Sequence, residues 1–172
     1  MKRRMGIAFI ALALLMAACT PSAPTSAGTV SLGVGSNAPD FTLKTLDGNE
    51  AHLMDYKGRP VLINFWASWC GPCRGEMPAI VAEYNAHKDT GLEVLAINLT
   101  IQDSVKNARA FADEFRMSFP VLLDEEGHVS NAYSLRGLPN SVFIDADGIV
   151  RAIHPGPMTR EVIEQQLAEI LP

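Results

Sequence analysis

Groups that commonly bind metals are scarce in this sequence of 172 residues. It has three cysteines, of which Cys70 and Cys73 form a Cys-x-x-Cys pair, and four histidines that lack the spacing of metal ligands. A zinc ribbon needs a second pair of ligands, and the sequence contains no such pair. We therefore expect neither a metal site nor a bound cofactor, and Cys70 and Cys73 must serve another chemistry.

Basic clusters and long apolar runs are missing as well. The formal net charge is −5 at pH 7 and no basic run follows Arg4, which argues against nucleic-acid binding. The apolar run from Met5 to Ala18 has 14 residues, whereas a helix needs about 20 to span a bilayer. No repeat or linker divides residues 33–172, so we expect one domain there, acting as a monomer.

The first 32 residues have the composition of a leader followed by a linker. Basic residues precede an apolar run, which is the order of a secretory signal peptide over residues 1–18. The run ends in Met16-Ala-Ala-Cys19, which resembles a bacterial lipobox except at Met16, where leucine is usual. The resemblance implies a lipid on Cys19 and a flexible Pro/Ser/Ala/Thr-rich linker over residues 19–32. An uncleaved anchor and simple secretion are the alternatives.

The stretch with the clearest chemistry is a strand that leads into a cysteine-bearing helix. Val61 to Phe65 is a short apolar run typical of a buried strand, and a helix is predicted from Cys70 to about His87. Cys70 and Cys73 are three residues apart, so they share one side of a helix and can form a disulfide. Helix N-terminal N–H groups favour a thiolate there, which indicates a redox dithiol. A purely structural disulfide would close too small a loop to stabilise much.

The segment Phe65-Trp-Ala-Ser-Trp-Cys-Gly-Pro-Cys73 resembles the active-site segment of the thioredoxin superfamily. The surrounding chain most resembles the TlpA/ResA-like thiol-disulfide oxidoreductases of the redoxin (AhpC/TSA-like) group, over about residues 33–172. The resemblance rests also on Gly35-Ser-Asn-Ala-Pro-Asp-Phe41, on Glu76 and Pro78, and on the segment from Gly137 to Asp145. It implies an α/β thioredoxin fold, a mixed central sheet flanked by helices, with an N-terminal β-hairpin and a central strand–helix insertion.

The pattern of the domain agrees with this fold. The expected elements are a hairpin of strands 41–46 and 51–54, a strand over 92–99, a helix capped by Asp103, an inserted strand 119–123 and helix 129–135, a hairpin of strands 141–145 and 149–153, and a last helix capped by Thr159.

The resemblance also implies roles for particular residues. Cys70, nearest the helix end and the solvent, would be the nucleophile, and Cys73 would resolve the mixed disulfide. Leu138-Pro139 matches the position of a cis-proline that packs against the disulfide, so the backbone of Leu138 would pair with a bound substrate.

Further residues are expected around the dithiol. Trp69, Gly71 and Pro72 would line the face that meets the substrate. Glu76 would tune the protonation of the cysteines, the alternative being an acid that complements the helix dipole. Asn64 stands where cytoplasmic thioredoxins carry a buried, titratable Asp.

These roles predict a lipid-anchored extracytoplasmic enzyme that reduces disulfides of substrate proteins. The expected partners are those proteins, with apocytochrome c haem-site disulfides as one candidate, a membrane thiol that supplies electrons, and the membrane itself through Cys19. A peroxiredoxin-type peroxidase is an alternative. Its Pro-x-x-x-Thr/Ser-x-x-Cys site requires a proline and a Thr or Ser at positions where this chain has Ile63 and Ala67, so the groups that bind peroxide are missing. A copper(I) chaperone is another, although its cysteines are one residue further apart; His154 could serve as a distant ligand.

Overall fold

A computed structural model describes residues 32–172. The predicted signal peptide, Cys19 and nearly all of the predicted linker therefore lie outside the described residues. Seven strands form a single mixed sheet in the order β2-β1-β5-β4-β3-β6-β7. The strands are β1 (Thr42–Thr45), β2 (Glu50–His52), β3 (Val61–Trp66), β4 (Glu93–Asn98), β5 (Val121–Leu123), β6 (Asn140–Ile144) and β7 (Val150–Pro155).

Helices connect and cover these strands. The α-helices are α1 (Gly71–His87), α2 (Val105–Glu114), α3 (His128–Ala132) and α4 (Arg160–Leu167), and 3₁₀ turns span Leu53–Tyr56, Lys88–Thr90 and Thr100–Gln102. Among residues 32–172 no helix combines the length and the apolar character needed to cross a membrane.

Strand β3 lies in the interior of the sheet, between β4 and β6. It pairs in parallel with β4 and antiparallel with β6, and all six of its residues are buried. Side chains alternate between the faces of a strand, so Leu62 and Trp66 join one hydrophobic cluster while Ile63 and Phe65 join the other. Asn64 lies between Leu62 and Trp66 and therefore faces the same side as they do.

Two apolar layers hold the sheet between the helices. On one face α1, α2 and α4 supply Met77, Ile80, Phe111, Ile163 and Leu167, all buried in one cluster with the strands. The opposite cluster includes residues from α3 and from the N-terminal hairpin. The helical spacing of apolar residues in α2 and α4 explains why each of these helices buries one side, whereas β3 is covered on both faces and is buried throughout.

The predicted fold class is confirmed, and the element boundaries need small corrections. The N-terminal hairpin forms, but its second strand ends at His52 because Leu53–Tyr56 is a 3₁₀ turn. The inserted strand and helix are present as β5 and α3. The final helix is capped as predicted, since the Thr159 hydroxyl accepts a hydrogen bond from the Val162 N–H.

Candidate active site

The two cysteines of the predicted dithiol form a disulfide at the start of α1. Their Cα atoms are 5.3 Å apart. The helix begins at Gly71, one residue later than predicted, so Cys70 is its N-cap. The Cys70 Sγ accepts a hydrogen bond from the Cys73 N–H at 3.2 Å. This N–H group belongs to the first helical turn and has no carbonyl partner within the helix. Its hydrogen bond would stabilise a thiolate on Cys70 after reduction.

The burial of the pair differs between its two sulfur-bearing residues. Cys73 is fully buried, and Cys70 is 3% exposed. The prediction that Cys70 lies nearer the solvent is therefore right in order, although the exposed fraction is small. Gly71 and Pro72, between the cysteines, are exposed, so an approaching sulfur would reach the disulfide on the Cys70 side.

The cis-proline loop lies at the same edge of the sheet as the disulfide. The Leu138–Pro139 peptide bond is cis, as the sequence predicted. Phe65 on β3 pairs with Asn140 on β6, and the two strands are antiparallel. The chain therefore leaves β3 toward Cys70 beside the point at which Pro139 enters β6. Pro139 is buried and Leu138 is partly exposed, so Leu138 borders the surface of the site.

Glu76 is a buried carboxyl one helical turn beyond Cys73, on the same buried face of α1. Its Oε1 accepts a hydrogen bond from the Asn64 Nδ2 at 2.9 Å, and its Oε2 accepts one from the Met158 N–H at 2.8 Å. The Asn64 amide also donates to the Ser141 hydroxyl. Burial raises the pKa of Glu76, and the bonds from Met158 and Asn64 oppose that rise. A carboxyl held in this way can change its charge close to the dithiol.

Asp103 does not cap α2 as predicted. The cap is Ser104, whose hydroxyl accepts from the Asn107 N–H. The Asp103 carboxylate instead accepts four hydrogen bonds, from the backbone N–H and hydroxyl of Ser68 at 2.7 Å each, from the Asn98 amide at 3.0 Å and from the Ser104 N–H at 2.8 Å. Asp103 thus fixes the segment just before Cys70 to the end of β4.

We expect Asp103→Asn to destabilise the fold by about 1 kcal/mol at pH 7, because an amide has one acceptor oxygen for these four donors. Burial alone would raise the pKa of Asp103, but the bonds from Asn98, Ser68 and Ser104 lower it overall. Because the pKa of Asp103 is lower in the folded protein, its carboxylate stabilises the fold at pH values above the ordinary pKa near 3.8. This stabilisation is lost as the pH falls through the folded-state pKa. Urea unfolding at several pH values should show the Asn penalty shrinking in acid.

The control for this change is Asp113→Asn, since Asp113 is exposed on α2 and its carboxylate has no hydrogen bond among residues 32–172. An equal loss of stability in both variants would show that the Asp103 network contributes nothing specific.

Trp69 and Arg74 flank the two cysteines and differ in whether they are available to a partner. Trp69 is 58% exposed, and its indole N–H donates to the Gln102 carbonyl at 2.9 Å. Arg74 forms an ion pair with Glu114 and lies over the rings of Phe111 and Phe115. Trp69 is therefore available to a substrate, whereas the guanidinium of Arg74 is engaged with α2.

The positions that a peroxidase would use hold apolar side chains. Ile63 and Ala67 are both fully buried, so they offer no polar group to a peroxide. His154 lies on β7, and the described part of the chain contains no group of three His, Cys, Asp or Glu side chains arranged to hold a metal ion.

Sequence reasoning missed two features of this site. The Met158 N–H reaches Glu76 from 82 residues away, and the Asp103 carboxylate reaches Ser68 from 35 residues away. Neither contact leaves a local signal, because a backbone donor can come from any residue and an aspartate before a helix is also a common cap. Only the spacing of Glu76 from Cys73 was readable.

A disulfide at the N-terminus of the helix that follows a buried interior strand, next to a cis-proline loop, defines the thiol-disulfide oxidoreductases of the thioredoxin fold. Residues 34–153 match the model of the AhpC/TSA family. The chain belongs to this family and is a ResA-like thiol-disulfide oxidoreductase of the thioredoxin superfamily.

Individual relatives agree with this assignment. The chain is 42% identical over 141 residues to the thiol-disulfide oxidoreductase ResA of Geobacillus thermodenitrificans, covering 82% of this chain and 80% of that protein. It is 43% identical over 139 residues to the thioredoxin-like protein YneN of Bacillus subtilis, covering 80% and 81%. A solved Chlorobium tepidum structure named as a DsbE thiol:disulfide interchange protein is 37% identical with a TM-score of 0.74, covering 81% of this chain and 99% of that one. The predicted family and fold are confirmed.

Proposed function

We propose that the protein reduces disulfides of substrate proteins outside the cytoplasm, held at a membrane through Cys19. The observation that carries the chemistry is the N-cap position of Cys70, whose sulfur accepts the Cys73 N–H. A thiolate there is both stabilised and close to its resolving partner. The names of the relatives, ResA and DsbE, support the reaction class.

The reaction proceeds in two exchange steps. The Cys70 thiolate attacks one sulfur of the substrate disulfide, forms a mixed disulfide and releases the other substrate sulfur as a thiolate. The Cys73 thiolate then attacks the Cys70 sulfur, which restores the Cys70–Cys73 disulfide and releases the second substrate sulfur. Two electrons pass to the substrate, and a membrane thiol donor would reduce the pair again.

Neighbouring groups would assist each step. The Cys73 N–H stabilises the Cys70 sulfur as an anion. The backbone N–H and C=O of Leu138 make no backbone hydrogen bond among residues 32–172, so they are free to pair with an extended substrate segment. Glu76, buried on the face of Cys73, is the group that could hold a proton near the resolving cysteine.

The direction of electron flow is inferred from the residues between the cysteines. Gly71-Pro72 is the dipeptide of thioredoxin, whose potential of about −270 mV makes it a reductant. A pair of similar potential would deliver electrons to most exposed protein disulfides.

The location is inferred from the leader. A basic start, an apolar run and Cys19 after small residues support export and lipid attachment. Removal of the leader takes the formal charge from −5 to −8, because it contains three basic residues and no acid. An unmodified, free Cys19 in the mass spectrum of the cell-associated protein would contradict the tether.

The substrate that we propose first is the haem-site disulfide of an apocytochrome c, on the strength of the TlpA/ResA-like resemblance. The test mixes the reduced chain with an oxidised Cys-x-x-Cys-His peptide at equal concentration and follows thiols by acid quench and mass spectrometry. We expect one peptide disulfide to be reduced per chain. A peptide that stays oxidised while the Cys70–Cys73 pair stays reduced would refute the reductase function.

A further inference from the structure

A groove runs along the surface from the disulfide edge of the sheet toward the inserted helix. We call it the insertion groove; its volume is 310 Å³. Its walls are Trp69, the segment after β4 from Leu99 to Gln102, and the chain from α3 through Leu138. Trp69 precedes Cys70 and Leu138 precedes the cis-proline, so the groove is continuous with the site of disulfide exchange.

The apolar part of the insertion groove is exposed to an unusual degree. Five large apolar side chains are exposed among residues 32–172, and two of them, Trp69 at 58% and Ile101 at 54%, line this groove. The Trp69 indole is held in place by its bond to the Gln102 carbonyl. An aromatic ring that is fixed and exposed in this way is a typical anchor for a partner side chain.

The charge of the insertion groove comes from one residue. Arg136 is the only ionisable side chain in its lining, and Arg136 makes no hydrogen bond or ion pair to any side chain of residues 32–172. Four other arginines, Arg59, Arg74, Arg151 and Arg160, each pair with a carboxylate, whereas Arg109 and Arg116 share with Arg136 the lack of an ion pair within residues 32–172. An unpaired guanidinium in a groove of an otherwise acidic protein is suited to a carboxylate from a partner.

We infer that the insertion groove binds the substrate segment that flanks the reactive cysteine and selects an acidic side chain for Arg136. An apolar side chain of the same segment lies against Trp69 and Ile101. The inference rests on the proposed function, since it assumes that a protein disulfide reaches Cys70. It adds a preference that the dithiol itself does not supply, because sulfur exchange is indifferent to charges several residues away.

The test uses disulfide peptides that differ at one position. Each oxidised Cys-x-x-Cys peptide carries Asp or Lys at one position, with all other residues constant. The position is varied over the four residues before the first cysteine and the four residues after the second. The reduced full-length chain is mixed with each peptide, and the second-order rate constant of reduction is measured. The Asp-to-Lys rate ratio is the readout, since the intrinsic reactivity of the dithiol cancels within each protein.

We expect the wild-type chain to reduce the Asp peptide about threefold to fivefold faster than the Lys peptide at one or two positions, as for an exposed ion pair. Arg136→Ala should bring the ratio to about one, and Arg136→Glu should invert it. The control Lys57→Glu makes the same charge change as Arg136→Glu, but at an exposed residue outside the insertion groove. It should keep the wild-type Asp-to-Lys rate ratio. High salt should reduce the ratio toward one.

The outcomes separate this inference from the proposed function. Reduction of every peptide with a ratio of one at all positions would overturn the acidic preference and leave the reductase function standing. An equal fall of the ratio in Arg136→Glu and Lys57→Glu would overturn the groove as its source, because the whole-protein charge would then explain it. Failure to reduce any peptide would refute the proposed function itself.

Discussion

Replacing Cys70 by serine is expected to lower the rate of substrate disulfide reduction by about a thousandfold or more, since a hydroxyl at this position is not a usable nucleophile at neutral pH. Replacing Cys73 by serine should instead stop the reaction halfway. Cys70 would still attack from its N-cap position, and the mixed disulfide would persist because its resolving thiol is absent. Mass spectrometry of each variant after mixing with an oxidised peptide would show the adduct directly.

The assignment of the two roles depends on which variant retains the peptide. A stable adduct is expected with Cys73→Ser and none with Cys70→Ser. The reverse result would make Cys73 the nucleophile, in conflict with its complete burial. Circular dichroism of both variants would verify that each retains the fold, because Cys73 also belongs to the apolar cluster under α1.

Glu76→Gln is expected to shift the pH midpoint of alkylation of the reduced dithiol downward by about one unit. A carboxylate buried on the same face as Cys73 repels a neighbouring thiolate, and a unit shift corresponds to about 1.4 kcal/mol between the two charges. Because burial raises the pKa of Glu76, the carboxyl keeps its proton to a higher pH than usual. Below the raised value the two proteins should react alike, and above it the Gln variant should react faster.

The matched control is Glu83→Gln, the same change on the same helix. Glu83 is also buried, but it lies two turns further along α1 and pairs with Arg160 at 2.9 Å. We expect its alkylation profile to remain that of the wild type. If Glu76→Gln also keeps the wild-type alkylation profile, Glu76 has no influence on the thiols and serves only to bond Asn64 and the Met158 N–H.

The parts of the site that depend on neighbouring residues could be predicted from the sequence. The apolar run of β3 and the Cys-x-x-Cys spacing are local, and they place the disulfide where the structure has it. The cis peptide before Pro139 followed from the resemblance of its segment and is present. The two hairpins were also predicted from local signals, because the two strands of each hairpin follow one another closely in the sequence.

The parts that sequence reasoning missed depend on contacts between distant segments. Asp103 was expected to cap α2, yet the adjacent Ser104 supplies the cap and frees the carboxylate to bind Ser68. Both residues are good caps, so local propensity could not choose between them. The insertion groove is of the same kind, because Trp69, Ile101 and Arg136 meet only when β4 and α3 are packed beside β3.

The direction in which this protein passes electrons is decided by the reduction potential of the Cys70–Cys73 pair. The potential is obtained by equilibrating the full-length chain with dithiothreitol and glutathione buffers and counting free thiols. We expect a value near the roughly −270 mV of thioredoxin, or more negative, as a reductant requires. A value near the roughly −120 mV of a strong disulfide donor would contradict it, because electrons would then flow from the substrate to Cys70 and Cys73.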